Sequence, residues 1–517
     1  MGKPAKVPKL PDENDKRRMQ GSAYSPESNL VELRPEQPKA SPSGKPKGQA
    51  AAMLALFEAH QGEAFRSLDD KPLVCLTDDG RRQTMQIPQA VKALCRWQFE
   101  QTRQAATARS REEVKNHLDA LAEAGPKRQT WLRVAEHDGA LYLDLGDDSW
   151  RVVRIASEGW EVIDRPPVYF VRPGGMLPLP VPVHGGSVAE LFDLINVPDT
   201  DGQALVLGWL VSTLRPSRPM PLLALHAEQG SAKSTTACML AAVIDPHRAG
   251  LRIRPKDEET VMVATQNAWV VAYDNLSSMP PWLSDGLCCL STGASYTART
   301  KYSDASETVM RAQRPVLLTS IEDIASRSDL LDRMIVLTLP TIPEARRRTE
   351  QAVLAAFNIA HPRILGALLD AAAHALRTLP ALKPDALPRM ADFALWVIAA
   401  ESGLGLAPGE FLTAYRENRK DAHGQALDAC PIVEPLERFM SDKSEWTGTA
   451  TDLQSALEEK ATERQQARPG WPKDGTRLSG QLQRIAPNLR SRGLFIKQSR
   501  ESGGHRKRII TIAKVAS

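Results

Sequence analysis

The sequence predicts a multidomain α/β protein: an α/β P-loop core, an α+β region before it, a helical region after it and a winged helix at the C-terminal end. Three observations predict this. An apolar run, Leu222-Leu223-Ala224-Leu225, leads through the small-residue turn His226-Ala227-Glu228-Gln229-Gly230-Ser231-Ala232 into Lys233-Ser234-Thr235 and an amphipathic stretch carrying Met239, Leu240, Val243 and Ile244. Two further apolar runs follow at the spacing of an alternating α/β core, one ending in Asp274 and one in Thr319-Ser320. The last 85 residues read helix, helix, hairpin and are dense in positive charge.

The composition is that of a folded protein. The 517 residues suffice for about three to four domains. Hydrophobic content is 42% and charged content 25%, which excludes disorder over most of the length. No run of about 18 uncharged apolar residues suggests a membrane span. The six cysteines form no C-x-x-C pair, so neither a zinc site nor a disulfide framework is expected and a reducing cytoplasm fits. The net charge of +4 conceals an asymmetry. Residues 464–514 hold 13 Lys or Arg against Asp474 and Glu501, which points to nucleic acid.

Taken in order, residues 1–48 read as a disordered basic arm, rich in Pro, Lys, Ser and Glu. Residues 49–125 read as helical, with Met53, Leu54, Leu56 and Phe57, then Val91, Leu94, Trp97 and Phe99, then Val114, Leu118 and Leu121 as inward faces. Residues 126–215 begin with alternation over 141–145, 150–155 and 159–163, separated by Gly-Asp and Glu-Gly turns, as in a small antiparallel sheet. Asp144, Asp147 and Asp148 could be imagined as a primase metal site, but acidic turn residues are the commoner reading. After a Pro/Gly-rich linker, Ser187-Val188-Ala189-Glu190 is a capping box, and a second helix over 205–214 leads into the core.

Residues 216–345 form the core. The Lys233-Ser234 segment departs from the strict G-x-x-x-x-G-K-[ST] pattern, with Ala227 and Ala232 in the glycine positions. In a P-loop, backbone N–H groups from Glu228 to Thr235 surround the phosphates of ATP, Lys233 reaches the β/γ-phosphates and Ser234 holds Mg²⁺. Trp269-Val270-Val271-Ala272-Tyr273-Asp274 has the Walker B form, whose Asp orders the Mg²⁺ shell. Thr319 and Ser320, at the end of the next apolar run, are candidates for positioning the attacking water. Arg327 and Arg333 precede the last core strand, where an arginine can reach a neighbouring subunit's nucleotide. Residues 346–432 read as helices, with Arg363 as a candidate second sensor. In residues 433–517, Leu478, Leu482 and Ile485 face inward on a helix whose Arg477, Gln481 and Arg484 face outward, and Arg506, Lys507 and Arg508 lie on the wing.

The chain resembles the helicases of phages and mobile elements, near superfamily 3 and the minichromosome maintenance branch of the AAA+ ATPases. Glu228-Gln229-Gly230-Ser231-Ala232-Lys233-Ser234 is similar to that branch's P-loop, which also carries Ala before the Lys. Asp274-Asn275-Leu276-Ser277-Ser278-Met279 is similar to its Walker B segment, with Asn275 where the family has a catalytic Glu. Ser326-Arg327-Ser328-Asp329-Leu330-Leu331 resembles its arginine-finger motif. Gly293 to Asp304 looks like the hairpin that faces the ring's pore, with Arg299 and Lys301 on one face of a strand. The resemblance implies an AAA+ core with a helical lid over 346–432, ATP and Mg²⁺ as cofactors, DNA as partner, and a homo-oligomeric ring, expected to be a hexamer. The function implied is an ATP-dependent DNA helicase for replication. The alternative is an ATP-dependent DNA-binding regulator or loader without unwinding, which would need no pore hairpin.

Overall fold

The computed structural model describes residues 48–293, 295–299, 307–320, 328–384, 386–468, 470–500 and 508–514. The expected 1–48 arm (all but its last residue), Lys301, Arg327, Arg506 and Lys507 lie outside them, and of Arg299 the strand is described.

Four parallel strands make the central sheet, in the spatial order Val271–Tyr273, Val316–Ser320, Leu222–His226, Met334–Thr338. Their residues are almost all buried, as expected of parallel strands covered on both faces. A fifth position beside Val271–Tyr273 is reduced to one bridge: the Arg252 N–H donates to the Ala272 carbonyl at 2.9 Å, and the Asp274 N–H to the Arg252 carbonyl at 2.7 Å. The helix Lys233–Ile244 follows the first strand, and the helices Glu258–Asn267 and Pro281–Thr292 cover the other face. The strands Ser295–Arg299 and Glu307–Arg311 pair as an antiparallel hairpin, with Arg299 opposite Glu307 at the end nearer the turn.

Helices from both sides of the core in sequence build one bundle. Thr200–Thr213 is buried from Ala204 onward and packs against Ala391–Ala400 and Glu410–Ala429. Its side chains share one apolar cluster with the 29-residue helix Glu350–Thr378, with the central sheet and with the sheet of residues 134–163. The segment Glu350–Ala381 is long and apolar enough to cross a bilayer by composition, and half of its apolar window is buried within the protein. The helices of residues 346–432, expected as a lid, therefore share one bundle with a central helix from the 126–215 region.

The linker and the antiparallel sheet Val134–His137, Ala140–Asp144, Val152–Ala156, Gly159–Ile163 lie against that long helix. A Cβ on Gly366 would lie 1.9 Å from the Val183 carbonyl oxygen, so only glycine admits the crossing. Trp160 Nε1–H donates to Asp370 at 2.8 Å. Arg133, fully buried, donates to Asp245 at 2.9 Å and to the carbonyls of Asp144 and Leu177 at 3.1 and 2.8 Å. The second Asp245 oxygen accepts the N–H groups of Trp269 and Val270, so this pair joins the sheet region to the end of helix Lys233–Ile244 and the start of a core strand.

The reading of residues 49–125 as helical needs correction. Between the helices Gln49–Ala59 and Ile87–Thr102 lie the strands Glu63–Ser67, Pro72–Asp78 and Arg81–Gln86. Leu73, Val74, Cys75 and Leu76 are all buried, so the strand shows no alternation, and Asp79-Gly80 makes the turn. Phe99 and Leu121, expected inward, are exposed. Beyond residue 433, the strand Glu445–Thr449, the helices Ala450–Lys460 and Gly475–Leu489, and the strands Leu494–Arg500 and Arg508–Lys514 surround their own apolar cluster.

Candidate functional site

All four core strands are parallel, so their C-terminal ends lie at one edge of the sheet, and the loops leaving them meet there. Residues 227–232 leave the first strand and turn back into the helix that Lys233 opens. Gly230 (φ 82°) and Ala232 (φ 58°) both have left-handed backbones, which curl the loop. Ser231 is buried, and its hydroxyl donates to the Glu228 carbonyl at 2.9 Å. Asn196 braces the loop from outside, donating to the carbonyls of Ser231 and Pro340 at 2.9 and 2.6 Å.

Across the loop, four groups converge. The Ser234 hydroxyl donates to the Asp274 carboxylate at 3.0 and 3.2 Å. Thr319, fully buried, donates to Asp274 at 2.5 Å and accepts the Asn275 N–H at 2.8 Å. The Lys233 ammonium donates to the carbonyls of Ser320 at 2.8 Å and Ala227 at 3.1 Å. Partial burial lowers the pKa of Lys233, and the Asp274 charge pulls against that shift. The Ser320 hydroxyl lies 3.3 Å from Nδ1 of His226. Asp274 and Ser234 together offer hard oxygens of the kind that Mg²⁺ prefers, and the curled loop turns backbone toward the same space. The residues present fit ATP with Mg²⁺.

Asn275 is exposed and takes a left-handed backbone, φ 52°. Asn adopts that conformation more readily than Glu, which gives a backbone reason for an amide at this position.

Other candidates lie elsewhere. Arg363, expected as a nucleotide sensor, makes two-pronged contact with the Glu190 carboxylate of the capping box, including a bond of 2.9 Å, because the linker passes over its helix. Arg333 sits at the N-terminal end of its strand, the edge opposite Lys233, and donates to the Asp329 carbonyl at 2.6 Å. Gln481, expected outward, donates toward Cys430 Sγ at 3.3 Å, because helix Gly475–Leu489 packs against Glu410–Ala429. Arg477 and Arg484 are exposed on that helix, and Arg508 is exposed on the last strand. Asp144 is fully buried and paired with Arg172, which accounts for it without a metal.

Sequence reasoning missed Asn196, whose role depends on a distant loop, and Arg347, whose guanidinium lies over Gly230. The run Arg346-Arg347-Arg348 is a visible signal, but nothing in the sequence places it beside loop 227–232.

Among solved structures, the C-terminal region of NrS-1 aligns with 91% of this chain and 100% of its own, at 12% identity and a TM-score of 0.38. The JCV helicase aligns with 46% of this chain and 70% of its own, at 13% identity and a TM-score of 0.19. At these scores neither likeness bears on the chemistry of this chain. No curated protein matches it. Residues 188–424 match the family described as actinomycete integrative conjugative element replication protein, and residues 432–517 match the C-terminal domain of the same replication protein. Over these two segments the chain is similar to the replication proteins of actinomycete integrative conjugative elements.

Proposed function

We propose that the protein is an ATP-dependent DNA helicase that opens DNA for replication of its element, working in the host cytoplasm as a homo-oligomeric ring of AAA+ cores, expected to be hexameric. The observation that carries this reading is the convergence of Lys233, Ser234, Asp274 and Thr319 on one loop at one edge of a parallel sheet. In this reading Lys233 and the backbone of residues 228–235 bind the phosphates of ATP. Ser234 and Asp274 hold Mg²⁺, and Thr319 fixes the Asp274 carboxylate. Bound ATP supplies the free energy of phosphoryl transfer to water. Such transfer depends mostly on positioning and on stabilising charge, so an amide at Asn275 that orients water is compatible with turnover. Arg327 would act on a neighbour's nucleotide, which is why a ring is required.

Two further features support the DNA part. The hairpin Ser295–Arg311 carries Arg299 toward its tip, the position a pore contact needs. The basic segment 464–514 supplies charge for phosphates from a helix–helix–hairpin unit of winged-helix form. Residues Arg477, Arg484 and Arg508 are exposed there, with Gln481 turned inward.

The test is ATP turnover with and without single-stranded DNA, for the wild type and Asp274→Asn. DNA-stimulated hydrolysis in the wild type, reduced at least a hundredfold in the variant, is expected (about 3 kcal/mol of barrier). ATP binding without DNA-stimulated turnover would refute the proposal.

A further inference from the structure

The segment that leaves the last core strand does not turn away from the phosphate loop. It runs beside it. The Leu339 N–H donates to the His226 carbonyl at 2.8 Å, and the Ile342 N–H to the Gly230 carbonyl at 3.0 Å. Asn196 ties the Pro340 carbonyl to that of Ser231. A short turn, Glu344–Arg346, then brings the chain to Thr349, which caps the long helix.

Arg347 is folded back along this strap. Its Nε–H donates to the Ile342 carbonyl at 3.3 Å, and its Nη1 is 3.9 Å from the exposed Glu344 carboxylate. A Cβ placed on Gly230 would lie 3.3 Å from Nη2 of Arg347. The guanidinium therefore occupies the space beside the phosphate loop that any side chain at residue 230 would need.

The sheet order gives this a direction. The strand Leu222–His226 lies between Val316–Ser320 and Met334–Thr338. Thr319, Asp274 and Ser234 flank the loop on the first side, and the strap with Arg347 flanks it on the second. Hard oxygens for a cation are on one side, and a planar cation with paired N–H donors on the other.

We propose that Arg347 is an in-cis phosphate ligand of the nucleotide, contacting the α/β end of the polyphosphate from the strap side of the loop. The inference rests on the ATP-binding reading above and adds a residue and a direction to it.

The distinguishing measurement is nucleotide affinity, by titration calorimetry on the full chain with ATP and with ADP separately. Arg347→Ala should weaken both by about tenfold or more, the loss of a charge-assisted pair. Arg347→Lys should recover part of this, because it keeps the charge and loses the fork. Arg346→Ala and Arg348→Ala, neighbours of equal charge, should leave both affinities within about twofold, and the nucleotide-free Tm of Arg347→Ala should match the wild type. Unchanged affinity in Arg347→Ala would overturn the proposal. So would a loss confined to ATP, which would assign Arg347 to the γ-phosphate, or an equal loss in all three alanine variants, which would reduce it to diffuse charge. If the wild type itself binds neither nucleotide, the ATP-site reading falls and this one with it.

Discussion

Ala232 precedes the helix Lys233–Ile244 with a left-handed backbone, φ 58° and ψ 29°, that costs an L-residue about 1 kcal/mol relative to glycine. The alanine is tolerated because the loop is held from several sides: Asn196 on Ser231, Ser231 on Glu228, and Ile342 on Gly230. Ala232→Gly should therefore stabilise the protein by about 0.5 kcal/mol, the relief of strain less the added freedom of the unfolded chain. Chemical denaturation should show the higher midpoint at an unchanged slope, with ATP affinity retained. A lower midpoint would mean that the methyl group makes contacts of its own. Asn275 obeys the same backbone logic. The sequence marks it as a departure at a catalytic position, whereas its φ of 52° makes it first a turn residue. Residue identity alone does not reveal φ, and so Lys233, Ser234 and Asp274 were legible from their order while the reason for Asn275 was not.

At the scale of elements, the strands and helix of the core were legible because each ends where its chemistry begins. An apolar run followed by Asp274, or by Thr319-Ser320, has a simple pattern, and parallel pairing then brings those ends together. The strands between residues 63 and 86 were missed for a converse reason. A strand buried on both faces loses the alternation that marks it, and Leu73 to Leu76 are buried without a break. Helix packing also carries a pH dependence. His361, on the long helix, stacks on Phe357 and lies 3.1 Å through Nε2 from the Val243 carbonyl at the end of helix Lys233–Ile244. Burial pushes its pKa down to about 4, although the Val243 bond pulls upward. An unfolded histidine titrates near 6.5, so between about pH 6.5 and 4 the unfolded chain binds a proton that the native chain does not. Stability should be full above that window and fall as the pH drops through it, by up to about 1.4 kcal/mol per unit. His361→Gln, which keeps an N–H donor for Val243, should flatten the slope. Denaturation midpoints at pH 7 and pH 5 measure it, and an unchanged slope in the variant would assign the dependence to other groups.

For the whole molecule, the central relation is the joining of regions that the sequence presents as separate. The bundle around Trp209 and Trp396 draws on helices from both sides of the core, and Arg133–Asp245 ties the small sheet to the end of helix Lys233–Ile244. None of this was legible, because 112 residues separate Arg133 from Asp245 and neither stands in a motif. Asp332 makes a similar junction: burial alone would raise its pKa, but His423, Arg419 and Arg389 hold its carboxyl well below the usual range. Breaking the first junction should be costly, since a buried arginine would lose its counter-charge and two backbone N–H groups their acceptor. Asp245→Ala should destabilise the chain by about 3–5 kcal/mol. A loss below about 1 kcal/mol in denaturant titration would show that the regions hold together without the pair.

In the function proposed above, nucleotide state at the loop would move DNA held elsewhere on this joined body. The most direct measurement is strand displacement on a forked DNA duplex with ATP and Mg²⁺, comparing the wild type with Lys233→Ala. The wild type should separate the strands, and Lys233→Ala, folded but lacking the ammonium held at Ser320 and Ala227, should not. A wild type that hydrolyses ATP yet leaves the duplex intact, or a Lys233→Ala variant that unwinds as well as the wild type, would contradict the account.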